Sequence, residues 1–152
     1  DGRTANEVGS LGEDFCRAEL FPRLSAQGLS RMDEHRRAGH HIVLVTGSLD
    51  FLIAPLAAML EVPTLLAAKL EQRQRQFTGH VCAPLPYGPG KRELIVQLTQ
   101  DSGIDLAQSF AYGDSPGDIE LLRMVGHPLV VNPIRGMASI ARRHGWPVAT
   151  WK

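Results

Sequence analysis

The sequence predicts an α/β fold built around a parallel sheet. Three short apolar runs at 42–45, 109–112 and 129–131 are typical of strands, and the first and the last are aliphatic enough to be buried on both faces. Each run ends in a polar turn that is followed by apolar residues at helical spacing. Because strands that alternate with helices pair in parallel through right-handed crossovers, a layered α/β sheet is the expected architecture.

The size and composition of the chain indicate one globular domain. It has 152 residues, of which 43% are apolar and 21% are charged, and these values argue against intrinsic disorder and a coiled coil. Sixteen basic and sixteen acidic residues give a net charge of zero. A chain without a broad positive field is expected to bind neither nucleic acid nor a membrane surface.

A membrane span, a disulfide framework and a histidine metal site are disfavoured as well. The longest apolar stretch, residues 51–60, is far shorter than the roughly 20 residues that cross a bilayer, and no basic and apolar leader opens the chain, so we expect a cytoplasmic protein. Two cysteines cannot build a disulfide framework. The six histidines are scattered, and we therefore expect no histidine metal site.

The first 38 residues are predicted to be helical. Apolar residues recur at three- and four-residue steps over 7–20, where a proline ends the pattern. A second amphipathic helix is predicted over 27–38 and is ended by a glycine. We therefore divide the chain into a helical segment, residues 1–38, and an α/β core, residues 39–152.

The first half of the core is predicted to hold one buried strand and two shorter ones. The buried strand is closed by the tripeptide Thr46-Gly47-Ser48 and is followed by a helix over 52–60. Short strands are predicted over 65–70 and 77–81, with the polar residues between them as a solvated connection.

The second half of the core continues the alternation. A loop rich in proline and glycine, residues 84–90, precedes a helix that opens at Lys91. The strand over 109–112 ends in a polar turn, residues 113–118, before the next helix. The last strand ends at Asn132 and is followed by a helix over 137–143 and an extended segment.

Polar residues stand at the carboxyl ends of the predicted strands, where open α/β sheets bind ligands. Thr46 and Gly47 follow the first strand. Asp114 and Asp118 follow a later strand, and Lys91 opens the helix before it. Two carboxylates suit a hard cation such as Mg²⁺, which keeps its other positions for water and phosphate oxygens. The ammonium, the hydroxyl and the amides of the glycine turn suit the phosphate itself.

Each of these features also has a purely structural explanation. A Thr-Gly-Ser turn is usually a helix cap, a lysine at a helix start is usually solvated, and aspartates before a helix often only cap it. The functional interpretation is favoured because the hydroxyl, the lysine and the paired aspartates occur in this order, each at the expected end of its element.

Three segments carry a resemblance to a known family. They are residues 42–48 (IVLVTGS), Gly90-Lys91 and residues 111–118 (AYGDSPGD). Together they look like motifs two, three and four of the haloacid dehalogenase superfamily, and especially of its phosphoserine phosphatase-like branch. The resemblance implies a three-layer Rossmann-like core, with residues 1–38 as the end of a helical cap and its lead-in helix.

The resemblance also implies a role for each candidate residue. Thr46 and the amide of Gly47 would bind the phosphoryl group, and Lys91 would stabilise its charge and that of the nucleophile. Asp114 would be a ligand of Mg²⁺, and Asp118 would support the ion directly or through water.

Two further residues, Ser48 and Asn132, are near-site candidates only. Ser48 suits the cap of the next helix equally well. Asn132 stands before Pro133, where ending a strand is a sufficient reason for its presence.

The first motif of the superfamily is missing from the sequence. It has the form aspartate-x-aspartate-x-threonine or valine, in which one carboxylate attacks phosphorus and the other handles the leaving-group proton. Residues 1–4 (DGRT) are only superficially similar, because no strand precedes them, and we interpret them as the tail of the cap. We expect the nucleophile upstream of Asp1, on the same protein or on another chain, and we expect this chain alone to be inactive.

The missing motif has a structural consequence. In the superfamily it ends the central strand of the sheet, so the core would lack its first strand and would expose unpaired backbone groups. The alternative is a rearranged sheet in which the strands that end at Thr46 and Tyr112 pair directly.

Two functions from different classes follow. The first is a magnesium-dependent phosphomonoester hydrolase that acts on a small phosphorylated metabolite through an aspartyl-phosphate. The alternative is a non-catalytic, degenerate domain of the same fold that binds a ligand or regulates a partner. A nucleotide-binding Rossmann domain is a distant third, because no G-x-G-x-x-G follows a strand.

Overall fold

A computed structural model describes residues 12–74 and 76–152. Their contacts divide the chain into two compact units, of which the first ends at Pro86 and the second runs from Tyr87 to Lys152. The predicted boundary at residue 38 stays a prediction. Within the described ranges, no helix combines the length and the apolar character that crossing a bilayer requires.

The first unit opens with helical turns. Residues 12–15 are α-helical and are followed by a π-helical turn, Cys16–Leu20, and a 3-10 turn, Phe21–Arg23. This confirms the described part of the helix predicted over 7–20, whereas its first residues and the predicted cap tail at 1–4 lie outside the described ranges.

The second predicted helix is confirmed as helix α1, Ala26–Arg37. The hydroxyl of Ser25 accepts a hydrogen bond from the amide of Gly28 and so caps the first turn. The chain leaves the helix at Gly39, whose φ of 75° is the left-handed conformation that favours glycine at this place.

A pair of parallel strands carries the first predicted motif. Strand β1, Val43–Leu49, pairs in parallel with strand β2, Thr64–Ala68. Thr46 lies opposite Ala67, but the next paired residue on β1 is Leu49, opposite Ala68. The tripeptide Thr46-Gly47-Ser48 was expected to close the strand and instead lies within it. The shift of register nevertheless interrupts the ladder after Thr46, so regular pairing ends where the prediction placed it.

Helix α2, Asp50–Met59, connects these two strands and supplies half of the buried apolar residues of the first unit. The other buried apolar residues of this unit come from the first helical turns and from β2. The buried set is Cys16, Ile53, Leu56, Ala57, Ala67 and Ala68.

An antiparallel hairpin follows and corrects the prediction for residues 71–76. Strand β3, Leu70–Arg73, pairs with strand β4, Gln76–Val81. Four of the six residues of the polar segment therefore lie in strands rather than in a connection. The reason is local. Glu71 accepts a hydrogen bond from the Thr78 hydroxyl at 2.7 Å and forms an ion pair with Arg73 at 3.0 Å. Polar side chains therefore stabilise this exposed hairpin.

The second unit is a three-stranded parallel sheet with three α-helices. The order of its strands is β5–β6–β7, with all neighbours parallel, which confirms the α/β class. The strands are β5, Phe110–Gly113, β6, His127–Val131, and β7, Val148–Ala149. The helices are α3, Pro89–Ser102, α4, Ile119–Met124, and α5, Met137–His144. Their core consists of Ala111, Leu122, Val130, Met137 and Ala141.

The two strands that carry candidate motifs, β1 and β5, each have a free edge among the described residues. Strand β1 has a ladder partner in β2 alone, and β5 has one in β6 alone. The two strands belong to separate sheets, so the rearranged sheet in which they would pair directly is not formed within the described ranges.

Candidate functional site

Lys91 stands in the first turn of helix α3, as the sequence predicted. Gly88 turns the chain with a φ of 51°, and Pro89 is the first residue of the helix, where its fixed φ fits and its missing N–H costs nothing. The amide of Lys91 donates to the carbonyl of Gly88 at 3.1 Å. The side chain is buried rather than solvated, with 8% of the residue exposed.

The partner of Lys91 is Asp118. The ammonium donates to Oδ1 of the carboxylate at 2.5 Å, and the two side chains are only 10% and 7% exposed. A buried lysine without a carboxylate partner would be strongly unfavourable, so each of these charges accounts for the presence of the other.

The second oxygen of Asp118 is held by the turn that precedes it. Oδ2 accepts hydrogen bonds from the amide of Asp114, the amide of Ser115 and the hydroxyl of Ser115, each at 3.1 Å. Since a carboxylate oxygen offers about two lone pairs, this oxygen has no capacity left for a cation. Asp118 thus holds Lys91 through Oδ1 and residues 114–115 through Oδ2.

Ser115 is a site residue that the sequence analysis missed. A signal for it exists in the sequence, because Ser115 and Asp118 have the spacing of a capping box, a Ser or Thr followed three residues later by an acid.

The turn fits only because Gly113 lacks a side chain. A Cβ atom at this residue would lie 2.6 Å from Cβ of Asp118, well inside van der Waals contact. Gly113, the first glycine of the GDSPGD motif, is therefore required for a steric reason. Its missing side chain lets the Asp118 side chain fold back against the end of strand β5.

The two carboxylates of the turn have pKa values that move in opposite directions. Burial alone raises the pKa of Asp118, but Lys91 and the amides of Ser115 and Asp114 outweigh it, so the pKa lies below its ordinary range. Partial burial raises the pKa of Asp114, and the negative charge of Asp118 raises it further. Asp118 is therefore a stable anion, whereas Lys91 compensates the charge of Asp114 only in part.

The chemistry of this turn fits a hard cation at Asp114. The residue is exposed, offers carboxylate oxygens, and has a raised pKa that a bound cation would lower. Among the described residues, no group of three or more His, Cys, Asp or Glu side chains is arranged to hold a metal ion. A single carboxylate such as that of Asp114 can hold Mg²⁺ only together with further oxygen ligands and water.

The remaining phosphate-binding candidates lie in the first unit. Thr46 accepts a hydrogen bond from the amide of Ser48 at 3.1 Å, and Gly47 and Ser48 are exposed. Ser48 is not the cap of helix α2, since the cap position is Leu49 and no side chain caps it. A Cβ atom on Gly47 would meet the carbonyl oxygen of Pro86 at 3.7 Å, an ordinary contact.

The structure therefore brings the candidates together in two sets. Lys91, Asp114 and Asp118 meet in the second unit, and Thr46 and Gly47 are neighbours in the first. The common rim that would join the two sets stays a prediction.

Asn132 has structural partners. Its amide group donates to the carbonyl of Trp151 at 3.0 Å and accepts from the amide of Trp151 at 2.8 Å. Two residues later, the amide of Ile134 donates to the carbonyl of Asp114 at 2.9 Å. The loop after β6 thus supports the 114–118 turn through its backbone, while the Asn132 side chain joins the chain terminus to β6.

Comparisons with known proteins give relatives over almost the whole chain. It is 33% identical over 145 residues to a probable phosphatase of Mycobacterium tuberculosis (strain ATCC 25618 / H37Rv), which covers 95% of this chain and 50% of that protein. It is 28% identical over 154 residues to a phosphoserine phosphatase of the same strain, covering 100% of this chain and 49% of that protein. The chain spans about half the length of the curated relatives it matches.

A solved structure shares both sequence and fold with the chain. The crystal structure of a protein of unknown function from Bordetella pertussis Tohama I has a TM-score of 0.88 and 31% sequence identity. The match covers 97% of this chain and 67% of that one.

The family itself follows from a match that includes all three sequence motifs. Residues 1–123 match the haloacid dehalogenase-like hydrolase family, and the phosphatase relatives agree with the phosphoserine phosphatase-like branch that the motifs resemble. With the buried Lys91–Asp118 pair and the Asp114 turn arranged as described, the chain belongs to the haloacid dehalogenase-like hydrolase family.

Proposed function

We propose that the full-length protein is a magnesium-dependent phosphomonoesterase that acts on a small phosphorylated metabolite through an aspartyl-phosphate. The observation that carries this proposal is the buried ion pair of Lys91 and Asp118 beside the exposed carboxylate of Asp114. The names of the relatives support the class of substrate, since one is a probable phosphatase and another a phosphoserine phosphatase.

Lys91 is assigned to charge stabilisation. Its ammonium uses one hydrogen on Asp118, which leaves two donors for phosphoryl oxygens or for the attacking carboxylate. Because the ammonium is already buried and fixed, little reorganisation is needed when negative charge develops during the reaction.

Asp114 is assigned to Mg²⁺. When bound, the ion would neutralise phosphate charge and make phosphorus more electrophilic. Asp118 is assigned a different role from the direct ligand that the motif allows. Since both of its oxygens accept hydrogen bonds from the protein, it acts as a positioning residue for Lys91 and for the Asp114 backbone, and it would support the ion through water.

Thr46 and Gly47 are assigned to the phosphoryl group. The Thr46 hydroxyl accepts from Ser48, so its own hydrogen is available to a phosphate oxygen. The exposed backbone of Gly47 would add an amide donor.

The nucleophile is assigned to a segment that precedes Asp1 in the same protein. Two observations support this assignment. The chain spans about half of its curated relatives, and strands β1 and β5 each have one unpaired edge among the described residues, which an additional strand would satisfy. On this assignment the 152-residue chain by itself would not turn over substrate.

Phosphate release by the full-length protein tests the proposal. Phosphoserine and p-nitrophenyl phosphate serve as substrates, with Mg²⁺ or with a chelator. We expect release that depends on Mg²⁺ and falls by about 100-fold in Asp114→Asn, because a metal ligand contributes several kcal/mol to the transition state.

The matched control is Asp101→Asn, which removes an exposed aspartate at the end of helix α3 and should change the rate by no more than about twofold. An Asp114→Asn rate equal to that of wild type would contradict the metal assignment. No release from either substrate by the wild type would favour the non-catalytic module instead.

A further inference from the structure

The aromatic ring of Tyr87 rests on Gly117, the residue before Asp118. A Cβ atom on Gly117 would lie 2.6 Å from Cε2 of the tyrosine and 3.0 Å from Cδ2. Gly117 is buried, and its φ lies outside the positive range. The position therefore requires glycine for space under the ring and not for its backbone conformation.

A main-chain hydrogen bond joins the same two segments. The amide of Gly88, next to Tyr87, donates to the carbonyl of Gly117 at 3.1 Å. The carbonyl of Gly88 in turn accepts from the amide of Lys91. Gly88 is thus hydrogen-bonded both to the 114–118 turn and to the first turn of helix α3.

Core packing does not explain why a tyrosine is present at this place. The residue is 62% exposed, so it removes little apolar surface from water. What the ring does cover is the Gly117 backbone, one residue from the carboxylate that pairs with Lys91.

We propose that Tyr87 is a positioning residue for the Lys91–Asp118 pair. Its ring packs on Gly117 beside the start of helix α3 and so helps to fix the separation between the helix and the turn. The lysine side chain is long and flexible, so its ammonium stays in one place only if its carboxylate partner does. The effect on catalysis rests on the function proposed above, because displacements of about 1 Å in a catalytic group can lower rates by about 100-fold.

A double-mutant cycle in the full-length protein tests the contact. Tyr87→Ala and Gly117→Ala remove the same interaction, the first by deleting the ring and the second by displacing it. We expect each variant to lower kcat for p-nitrophenyl phosphate by about tenfold while KM changes by about twofold or less, and we expect the double variant to be no slower than the slower single one. Reductions that multiply in the double variant, or single variants with wild-type kcat, would overturn the proposal.

Tyr87→Phe is the matched variant, because it retains the ring and removes only the hydroxyl. Its kcat should lie closer to that of wild type than to that of Tyr87→Ala. A kcat as low as that of Tyr87→Ala would assign the effect to the hydroxyl and would contradict positioning by the ring.

Urea unfolding of the four proteins of the cycle gives a readout that does not depend on activity. If the contact exists, the shifts of the unfolding midpoint for Tyr87→Ala and Gly117→Ala are less than additive in the double variant. Additive shifts would contradict the contact. A wild type that releases no phosphate would refute the proposed function, and the unfolding cycle would still decide the contact.

Discussion

The ammonium of Lys91 and the carboxylate of Asp118 form a buried ion pair although 27 residues separate them in the sequence. The pair joins the first turn of helix α3 to the turn before helix α4. Asp118 also accepts hydrogen bonds from the amides of residues 114 and 115. One carboxylate therefore fixes both the Lys91 ammonium and the turn that carries Asp114.

Loss of the lysine charge is expected to destabilise the protein. Lys91→Met keeps most of the stem but leaves Asp118 buried without its cation, and breaking a buried pair in this way costs about 3–5 kcal/mol. Arg92→Met is the control, since Arg92 is exposed and should shift stability by about 0.5 kcal/mol or less. Chemical denaturation measures both. A Lys91→Met variant as stable as the control would show that the pair is not formed in solution.

Asp114→Asn is expected to separate stability from activity. Partial burial and the neighbouring Asp118 raise the pKa of Asp114, so in the absence of metal the folded state disfavours its charge relative to the unfolded chain. Neutralising this side chain without changing its shape should leave the metal-free protein at least as stable as wild type while phosphatase activity is lost. Thermal unfolding in chelator checks this, and a clear loss of stability would mean that the Asp114 charge is structural.

Asn132→Ala is expected to affect stability. The substitution removes both hydrogen bonds to Trp151 and leaves an alanine at a positive φ of 47°, a conformation that asparagine tolerates better. We expect a loss of about 1–2 kcal/mol with kcat reduced by no more than about threefold. Denaturation and kinetics on the same samples decide the matter: an inactive variant of wild-type stability would restore Asn132 as a residue of the site.

The two cysteines are expected to differ in reactivity. Burial raises the pKa of the Cys16 thiol, which is inaccessible to solvent, whereas Cys82 is exposed. In the full-length protein, Cys82→Ser should therefore remove one thiol that reacts rapidly with an aromatic disulfide reagent, and Cys16→Ser should remove none. Rapid labelling at Cys16 would show that the first helical turns are not packed as described.

Much of the second unit could be predicted because its sequence signals are local. The strand before Gly113, the loop before Lys91 and the aspartates of the turn each follow from short patterns of apolar, turn and polar residues. The capping-box spacing of Ser115 and Asp118 was visible in the same way.

The rest depends on contacts that form only in the folded chain and that no short sequence pattern shows. The strand at 70–73 pairs with β4 and is stabilised by a hydrogen bond between side chains of the two strands, which a run of polar residues does not reveal. Thr46 lies within a strand because β2 continues past it after a register shift. The ring of Tyr87 on Gly117 has no local pattern at all, since only the folded chain brings the two residues together.

The most direct test of the account is a crystal structure of the full-length protein with Mg²⁺ and orthophosphate. The account predicts one phosphate ion that accepts hydrogen bonds from the Thr46 hydroxyl and the Lys91 ammonium, and Mg²⁺ bound by the Asp114 carboxylate. A phosphate bound elsewhere, or Thr46 on a face remote from Lys91 and Asp114, would contradict it.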